Sequence, residues 1–197
     1  MRIRTIQNEL KAVARRCSTR QMQTGNGGNI SARYGDAAMV VKASNCSFAT
    51  CTPMDFVISD FTGKVLKGTK KPSRESILHG EVYSRYSRVG AIVHCHSPYA
   101  TAYAEALRPL VFSTYHSRMK LKEDVLVFDT GSYAVSPEDA VRIMDTFGTG
   151  SAFMGFLLKS HGLVAVGRDL DEAVCTAELI EETAKIHLLS KIHWHPP

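Results

Sequence analysis

The sequence has no long apolar run, few cysteines, no internal repeat and no low-complexity segment. No stretch approaches the roughly 18 consecutive apolar residues that a membrane-spanning helix needs, so we expect no membrane contact. The five cysteines are odd in number, scattered and never in a Cys-x-x-Cys pair. That pattern disfavours a disulfide framework and a cysteine-built zinc site, and it favours a location in a reducing cytoplasm.

The charge balance is basic, with a formal net charge of +5 and a pI near 9.0. Basic residues are dispersed apart from the segment Lys67–Arg74, and no aromatic platform is interleaved with them, so we expect no nucleic-acid partner. A site for a small anionic substrate explains the charge equally well. With 197 residues, 44% of them hydrophobic, the chain can bury a sizeable core, and residues 1–197 are predicted to form one domain.

Hydrophobic spacing predicts several helices and short strands. Residues Ile3, Ile6, Leu10, Val13 and Cys17 recur at helical spacing and predict an opening helix. Further helices are predicted from about Pro72 or Ser73 to Tyr86, around Tyr99–Leu107, from Ser136 through Met144, and from Asp171 to Ser190. Strands are predicted at Ile30–Tyr34, Ala38–Lys42, Phe56–Ser59, Val125–Phe128, Phe153–Lys159 and Leu163–Val166, and in the apolar run around His94. Strands outnumber helices and short turns join many of them, which predicts an α/β fold with a mixed, largely antiparallel sheet.

Two histidines stand one residue apart in the apolar stretch VHCHSP, residues 93–98. In an extended chain His94 and His96 share one face of the strand, whereas Cys95 points to the other. An imidazole buried without a partner costs roughly 1–3 kcal/mol, so both rings need partners. Backbone carbonyls would suffice for one ring, whereas for two rings on one face a shared metal ion such as zinc is at least as good an interpretation.

Three other stretches carry candidate site residues. The glycines of TGNGGN, residues 24–29, permit a concave nest of backbone N–H groups for an anion, although alone they indicate only a tight turn. Glu75 stands at a predicted helix start, where an acid usually complements the helix dipole. His161 precedes Gly162 between two apolar runs; alone it would be structural, but a catalytic zinc site needs a third protein ligand.

Taken together, these stretches resemble the class II aldolase and adducin family, most closely its L-fuculose-1-phosphate aldolase-like members. The resemblance runs through GNGGNIS, VVKASN, PSRE, AIVHCHSPYATA, LLKSHGLVAVG and DLDEAVCTAELIEETA, and so covers nearly the whole chain. The histidine pair, followed by a distant His-Gly and preceded by Pro-Ser-x-Glu, is the specific part.

The resemblance implies a three-layer α/β/α fold and a homotetramer with active sites at subunit interfaces. It implies one Zn²⁺ per chain, or another divalent metal, held by His94, His96 and His161, with Glu75 as the catalytic acid/base. It also implies that the substrate phosphate is bound by Asn26, Gly28, Asn29, Ser44, Asn45, Ser73 and Arg74. Aldolases of the family usually have glycine in place of Asn45 and serine in place of Arg74, so the identity of the substrate stays open.

The implied activity is that of a carbon–carbon lyase. A phosphorylated ketose is cleaved, through a zinc-stabilised enediolate, into an aldehyde and a three-carbon ketone such as dihydroxyacetone phosphate. Glu75 shuttles the proton. A base removes the proton of the C4 hydroxyl, and an acidic group must meet the aldehyde oxygen that forms there. In the family this group is a tyrosine of a neighbouring subunit, and Tyr115 is the nearest candidate, with His116 as its rival.

Other functions occur on the same scaffold. A metal-dependent decarboxylase passes through the same enediolate, and Arg74 would suit its substrate carboxylate. The epimerase branch carries aspartate where Glu75 stands, which favours the aldolase; sugar-phosphate dehydratases and an adducin-like, non-enzymatic scaffold complete the alternatives. The C-terminal KIHWHPP, with His193 and His195, is compatible with a lid, a stray metal-binding tail or a disordered end.

Overall fold

The computed structural model describes residues 3–192, in which eight strands form one mixed sheet. The strands are β1 (Asn29–Arg33), β2 (Ala38–Lys42), β3 (Phe56–Asp60), β4 (Val65–Lys67), β5 (Ala91–Cys95), β6 (Leu126–Phe128), β7 (Gly155–Leu158) and β8 (Gly162–Gly167). Their order across the sheet is β4-β3-β2-β1-β5-β8-β7-β6. Only the β6–β7 pair is parallel among the described strands, which confirms the predicted mixed, largely antiparallel sheet.

Six helices cover the two faces of the sheet. They are α1 (Ile3–Thr19), α2 (Ser76–Arg85), α3 (Pro98–Ala104), α4 (Tyr115–Lys120), α5 (Pro137–Phe147) and α6 (Leu170–Ser190). Apolar side chains of α1, α3 and α6 pack in one buried cluster with one face of the sheet. Those of α2 and α5 pack in a second cluster on the opposite face. The predicted three-layer α/β/α arrangement is therefore confirmed. None of the described helices is long and apolar enough to cross a membrane.

Strand β5 lies at the centre of the sheet, between β1 and β8, and carries the first histidine of the predicted pair. In the register of these strands His94 stands opposite Asn29 of β1 and opposite Val164 of β8. All five residues of β5 are buried. Backbone pairing with β1 on one side and with β8 on the other therefore fixes the position and the orientation of His94.

Helix α2 begins later than predicted, at Ser76 instead of Pro72 or Ser73. The preceding residues extend the sheet: Pro72 forms an isolated antiparallel bridge with Ala43, and the Ser73 N–H donates to the Lys42 carbonyl at 3.0 Å. Proline has no N–H for a helix, whereas its carbonyl serves an extended pairing well. Glu75 consequently becomes the residue that immediately precedes the helix.

Candidate metal centre

Four side chains from three parts of the fold meet at one point. His94 ends near the carboxyl end of β5, His96 follows that strand, His161 lies in the turn between β7 and β8, and Glu75 precedes α2. One possible ligand atom from each residue lies within 4.8 Å of every other. The three imidazole ring centroids are 4.8–5.0 Å apart. The three histidines predicted as ligands and the predicted acid/base are thus brought together.

His94 is the best fixed of the three rings. It is buried, and its Nδ1 lies 2.8 Å from the carbonyl oxygen of Leu163, to which it can only donate. The other nitrogen, Nε2, therefore faces the cluster, 3.1 Å from Glu75 Oε2 and 3.2 Å from His96 Nε2. A backbone carbonyl that fixes the tautomer in this way is the usual support of a metal-binding histidine.

His161 reaches the cluster because β8 approaches β5 closely. Its Nε2 lies 3.5 Å from Glu75 Oε1. A Cβ atom built on the next residue, Gly162, would lie 2.2 Å from the carbonyl oxygen of Cys95. Since a real Cβ does not approach an oxygen so closely, glycine at position 162 is what lets the turn bring His161 against β5.

Burial and the neighbouring charges set the protonation of the cluster. Burial, together with the positive charge of His94, lowers the pKa of His96 and of His161 to about 4. Burial disfavours the charged forms of His94 and Glu75, but their mutual attraction prevails, raising the pKa of His94 and lowering that of Glu75. At neutral pH two imidazoles therefore present free lone pairs beside an ionised carboxylate.

This donor set fits a divalent cation. The carboxylate oxygen Glu75 Oε1 is buried and has no hydrogen-bond partner in the described part of the chain. A buried carboxylate oxygen without a partner is costly. Imidazole nitrogens and carboxylate oxygens are ligands that zinc accepts, and a cation between them would give Glu75 Oε1 the partner that it lacks.

Two of the predicted phosphate-binding residues, Asn29 and Ser73, contact Glu75, and Ser44 lies beside them. The Asn29 side-chain amide donates to Glu75 Oε2 at 2.8 Å, and Ser73 Oγ accepts from the Glu75 N–H at 3.4 Å. Ser44 lies alongside, since its Oγ donates to the Pro72 carbonyl at 2.8 Å. Asn29 thus holds the carboxylate itself, whereas Ser73 and Ser44 contact the backbone of the segment that carries it.

The other residues predicted to bind the phosphate are Asn26, Gly28, Asn45 and Arg74. Gly28 is buried with φ +63, whereas Asn26 is exposed in the same loop. Asn45 is exposed with φ +60, a left-handed conformation that asparagine tolerates better than most side chains and that explains why glycine is also suitable there. Arg74 is exposed, and its guanidinium carbon lies 5.7 Å from the ring centroid of Tyr133.

Tyr115 and His116 stand apart from the four-residue cluster. Tyr115 is the first residue of α4 and is 92% exposed. His116 lines a surface groove of about 1240 Å³ beside α6, together with Arg20, Tyr99 and Lys185. None of the four cluster residues lines that groove. Within one chain, therefore, His116 lies in a groove that excludes the metal centre, and the Tyr115 side chain is free in solvent.

Sequence reasoning missed a buried polar chain beside the cluster. His79 Nδ1 lies 2.7 Å from Ser31 Oγ, which lies 2.8 Å from the Tyr83 hydroxyl. His79 is fully buried one helical turn after Glu75. The spacing of four residues on one helix face was a usable signal for His79. Nothing comparable in the sequence marks Ser31 or the fully buried Lys42, whose Nζ donates to the Cys46 carbonyl at 2.6 Å.

The sequence and the fold are similar to those of known proteins. Residues 8–188 match the family model described as the class II aldolase and adducin N-terminal domain. An L-fuculose phosphate aldolase from Methanococcus maripaludis is 30% identical over 183 residues, which cover 92% of this chain and 95% of the relative.

Two solved structures share the fold. L-Fuculose-1-phosphate aldolase from Thermus thermophilus superposes with a TM-score of 0.84 and is 25% identical, with 97% of this chain and 96% of that chain covered. YgbL from Klebsiella pneumoniae superposes with the same TM-score, 0.84, and is 26% identical, with 98% of this chain and 93% of that chain covered.

Proposed function

Because the chain belongs to the class II aldolase and adducin family, we propose that it is a zinc-dependent aldolase acting on a phosphorylated ketose. The products are an aldehyde and a three-carbon ketone such as dihydroxyacetone phosphate. We also propose that residues 1–197 form a single domain. The observation that carries it is the convergence of His94, His96 and His161 with Glu75, one possible ligand atom from each lying within 4.8 Å of the others.

The residues at the centre have separate tasks. His94, His96 and His161 hold the zinc ion, which when bound supplies a Lewis acid that stabilises negative charge developing on the substrate. Glu75 carries the proton that the three-carbon fragment gains after the C3–C4 bond breaks. The hydrogen bond from Asn29 to Oε2 aims the Glu75 carboxylate and keeps it beside the imidazoles.

Binding of the substrate phosphate is assigned to the polar groups around Glu75. The hydroxyls of Ser44 and Ser73 and the backbone of the loop containing Asn26 and Gly28 offer neutral donors. Arg74 adds a guanidinium, which can grip a phosphate with two parallel hydrogen bonds. Asn45, next to Ser44 and with a left-handed backbone, completes the set.

The proposal includes a homotetramer, and the exposure of Tyr115 is compatible with it. A side chain that is 92% exposed on a short helix can serve a site on another subunit, which supports the proposed homotetramer with shared active sites. Tyr115 would then relay the proton that leaves the C4 hydroxyl as the aldehyde forms in that neighbouring site, so that Glu75 can deliver a proton to the three-carbon fragment. A cytoplasmic location is part of the proposal and agrees with the five cysteines, all of them free.

The direct test is a screen of the zinc-loaded protein against phosphorylated ketoses, reading both the released aldehyde and dihydroxyacetone phosphate. We expect cleavage of at least one ketose phosphate, with about one zinc per chain and loss of metal in His94→Ala. Release of CO₂ from a β-keto acid without any ketose cleavage would instead assign the decarboxylase activity. An active preparation free of divalent metal would contradict the proposal outright.

Glu75→Gln separates the proton transfer from metal binding. The amide keeps the shape of the side chain, so zinc should remain bound while turnover falls by roughly 10²–10⁴, the usual contribution of a general acid/base. Glu81→Gln is the matched control, because Glu81 lies on the same helix and pairs with Arg85 at the surface. Equal turnover of the two variants would remove Glu75 from the reaction.

A further inference from the structure

Gln23 is a buried polar residue that the proposed reaction does not use. It lies in the segment between α1 and β1 and is 3% exposed. Its Oε1 accepts a hydrogen bond from the backbone N–H of His96 at 2.8 Å, and its Nε2 donates to the carbonyl of Thr24 at 2.7 Å. One side chain therefore joins the glycine loop to the backbone of a metal-binding histidine.

The glycine loop lies directly on this side chain and on the ring of His96. A Cβ atom built on Gly28 would lie 2.4 Å from Gln23 Oε1. A Cβ atom built on Gly27 would lie 2.8 Å from both Cε1 and Nδ1 of His96 and 3.1 Å from Gln23 Nε2. Gly27 and Gly28 thus lie against Gln23 and His96. A methyl group on either glycine would displace the side chain of Gln23 or of His96.

His96 needs such support more than His94 does. It follows the last residue of β5, beyond the paired strand. It is the most exposed of the four cluster residues, although its neighbours partly desolvate its ring. The ring of His94 is fixed by the Leu163 carbonyl, whereas the described hydrogen bond of the His96 ring goes only to His94. The Gln23 amide is the side chain that fixes the His96 backbone among residues 3–192.

We propose that Gln23 is a positioning residue that fixes His96 for metal binding and couples its position to the glycine loop. The inference rests on the proposed zinc site. Loss of a group that orients a metal ligand typically weakens metal affinity by 10- to 100-fold. Because Gln23 also contacts the loop, a displacement of either the loop or the histidine changes the other.

The test is a zinc titration without substrate, in competition with a chelating indicator. Gln23→Met keeps the length of the side chain but removes both hydrogen bonds, and zinc affinity should fall about tenfold or more. Gln7→Met is the matched control, since the Gln7 amide also donates to a backbone carbonyl, that of Phe56 at 2.9 Å. The control should bind zinc as the wild type does.

Two further variants keep the test decisive. Gln23→Asn withdraws the amide from His96 by one methylene and should show the same loss of affinity, even where Gln23→Met fails to fold. Gly27→Ala pushes the loop against the His96 ring and should also weaken zinc binding. Wild-type affinity in Gln23→Asn or Gln23→Met overturns the assignment of Gln23, and wild-type affinity in Gly27→Ala overturns the coupling to the loop.

The zinc titration separates the positioning role of Gln23 from the existence of the zinc site. A wild-type protein that takes up no zinc in the titration contradicts the metal site itself. A wild-type protein that binds zinc, with Gln23 variants that bind it equally tightly, contradicts only the positioning role. Replacement of zinc by Co²⁺ adds an absorption spectrum that reports ligand geometry, which we expect to change in Gln23→Met and not in Gln7→Met.

Discussion

Arg74 directly precedes Glu75 and is exposed to solvent, where a guanidinium can meet an incoming anion. Arg74→Ser restores the residue usual in the aldolases. We expect the KM for a ketose phosphate to rise about tenfold, as for the loss of one charged hydrogen bond, with kcat little changed. Steady-state kinetics measure this, with Lys64→Ser as a control that removes the same charge from the exposed turn before β4. Equal KM values in both variants would show that Arg74 leaves the substrate untouched.

His79 makes the stability of the protein depend on pH. Burial, together with the positive charge of His94, lowers the pKa of His79 from 6.5 to about 3. The unfolded chain therefore binds a proton at this residue more readily than the folded chain between those pH values. The contribution of His79 to the free energy of unfolding is complete above pH 6.5 and decreases as the pH falls.

We therefore expect acidification from pH 8 to pH 5 to cost the metal-free wild type about 2 kcal/mol more than His79→Gln, since each pKa unit corresponds to about 1.4 kcal/mol. The measurement is urea unfolding of both metal-free proteins at each pH. The glutamine variant starts less stable, because the bond to Ser31 changes, but its stability should depend less steeply on pH. Parallel pH profiles for the two proteins would mean that His79 is not buried in its neutral form.

At the scale of elements, the turn between β7 and β8 is the part of the fold on which the metal centre depends most. Gly162→Ala places a methyl group against the Cys95 carbonyl and must separate β8 from β5. We expect a lower Tm and loss of zinc together. Gly35→Ala is the control, because Gly35 also has positive φ, +71, but open surroundings, and strain alone costs roughly 1–2 kcal/mol. Zinc retention in Gly162→Ala would show that the turn tolerates the displacement.

The elements that the sequence predicted are those with strong hydrophobic periodicity or capping signals. Helix α1 has the predicted apolar stripe, and α5 begins at Pro137 after Ser136, whose hydroxyl accepts from the Asp139 N–H. Strand β4 was missed because its three residues are all exposed and show no alternation. Helix α4 was missed because it has six residues and buries only Ser117, so no periodic pattern marks it.

The residues of the metal centre could be predicted from the sequence, whereas Gln23, which supports His96, could not. The resemblance to a family supplied His94, His96, His161 and Glu75, and the structure brings all four together. Gln23 could not be predicted, because its role depends on a contact with a residue 73 positions away. His193 and His195 of the C-terminal segment lie outside the described residues. Their role as a lid, a metal-binding tail or a disordered end stays a prediction.

At the scale of the whole molecule, the proposed shared active site can be tested by mixing subunits. Tyr115→Phe and His94→Ala should each be inactive, but mixed tetramers place an intact His94 opposite an intact Tyr115. For random mixing, about a quarter of the sites regain activity if each site lies between two neighbouring subunits. Activity after co-refolding measures this. As a control, a mixture of His94→Ala and Glu75→Gln should stay inactive, because both defects lie on the same side of the site. If the mixture of His94→Ala and Tyr115→Phe is equally inactive, Tyr115 does not serve a neighbouring subunit's site.

Strand β4 bears on how copies of the chain meet each other. It is the edge of the sheet beside β3, is three residues long and is exposed throughout. Lys64 precedes it, Lys67 is its last residue, and its pairing with β3 is irregular at Ile58 and Ser59. A short, lysine-bordered and irregular edge is a poor template for an added strand, and proteins use such edges to resist amyloid-like stacking. At the β4 edge, copies of this chain are therefore expected to associate through side chains, and not by continuing one sheet into the next.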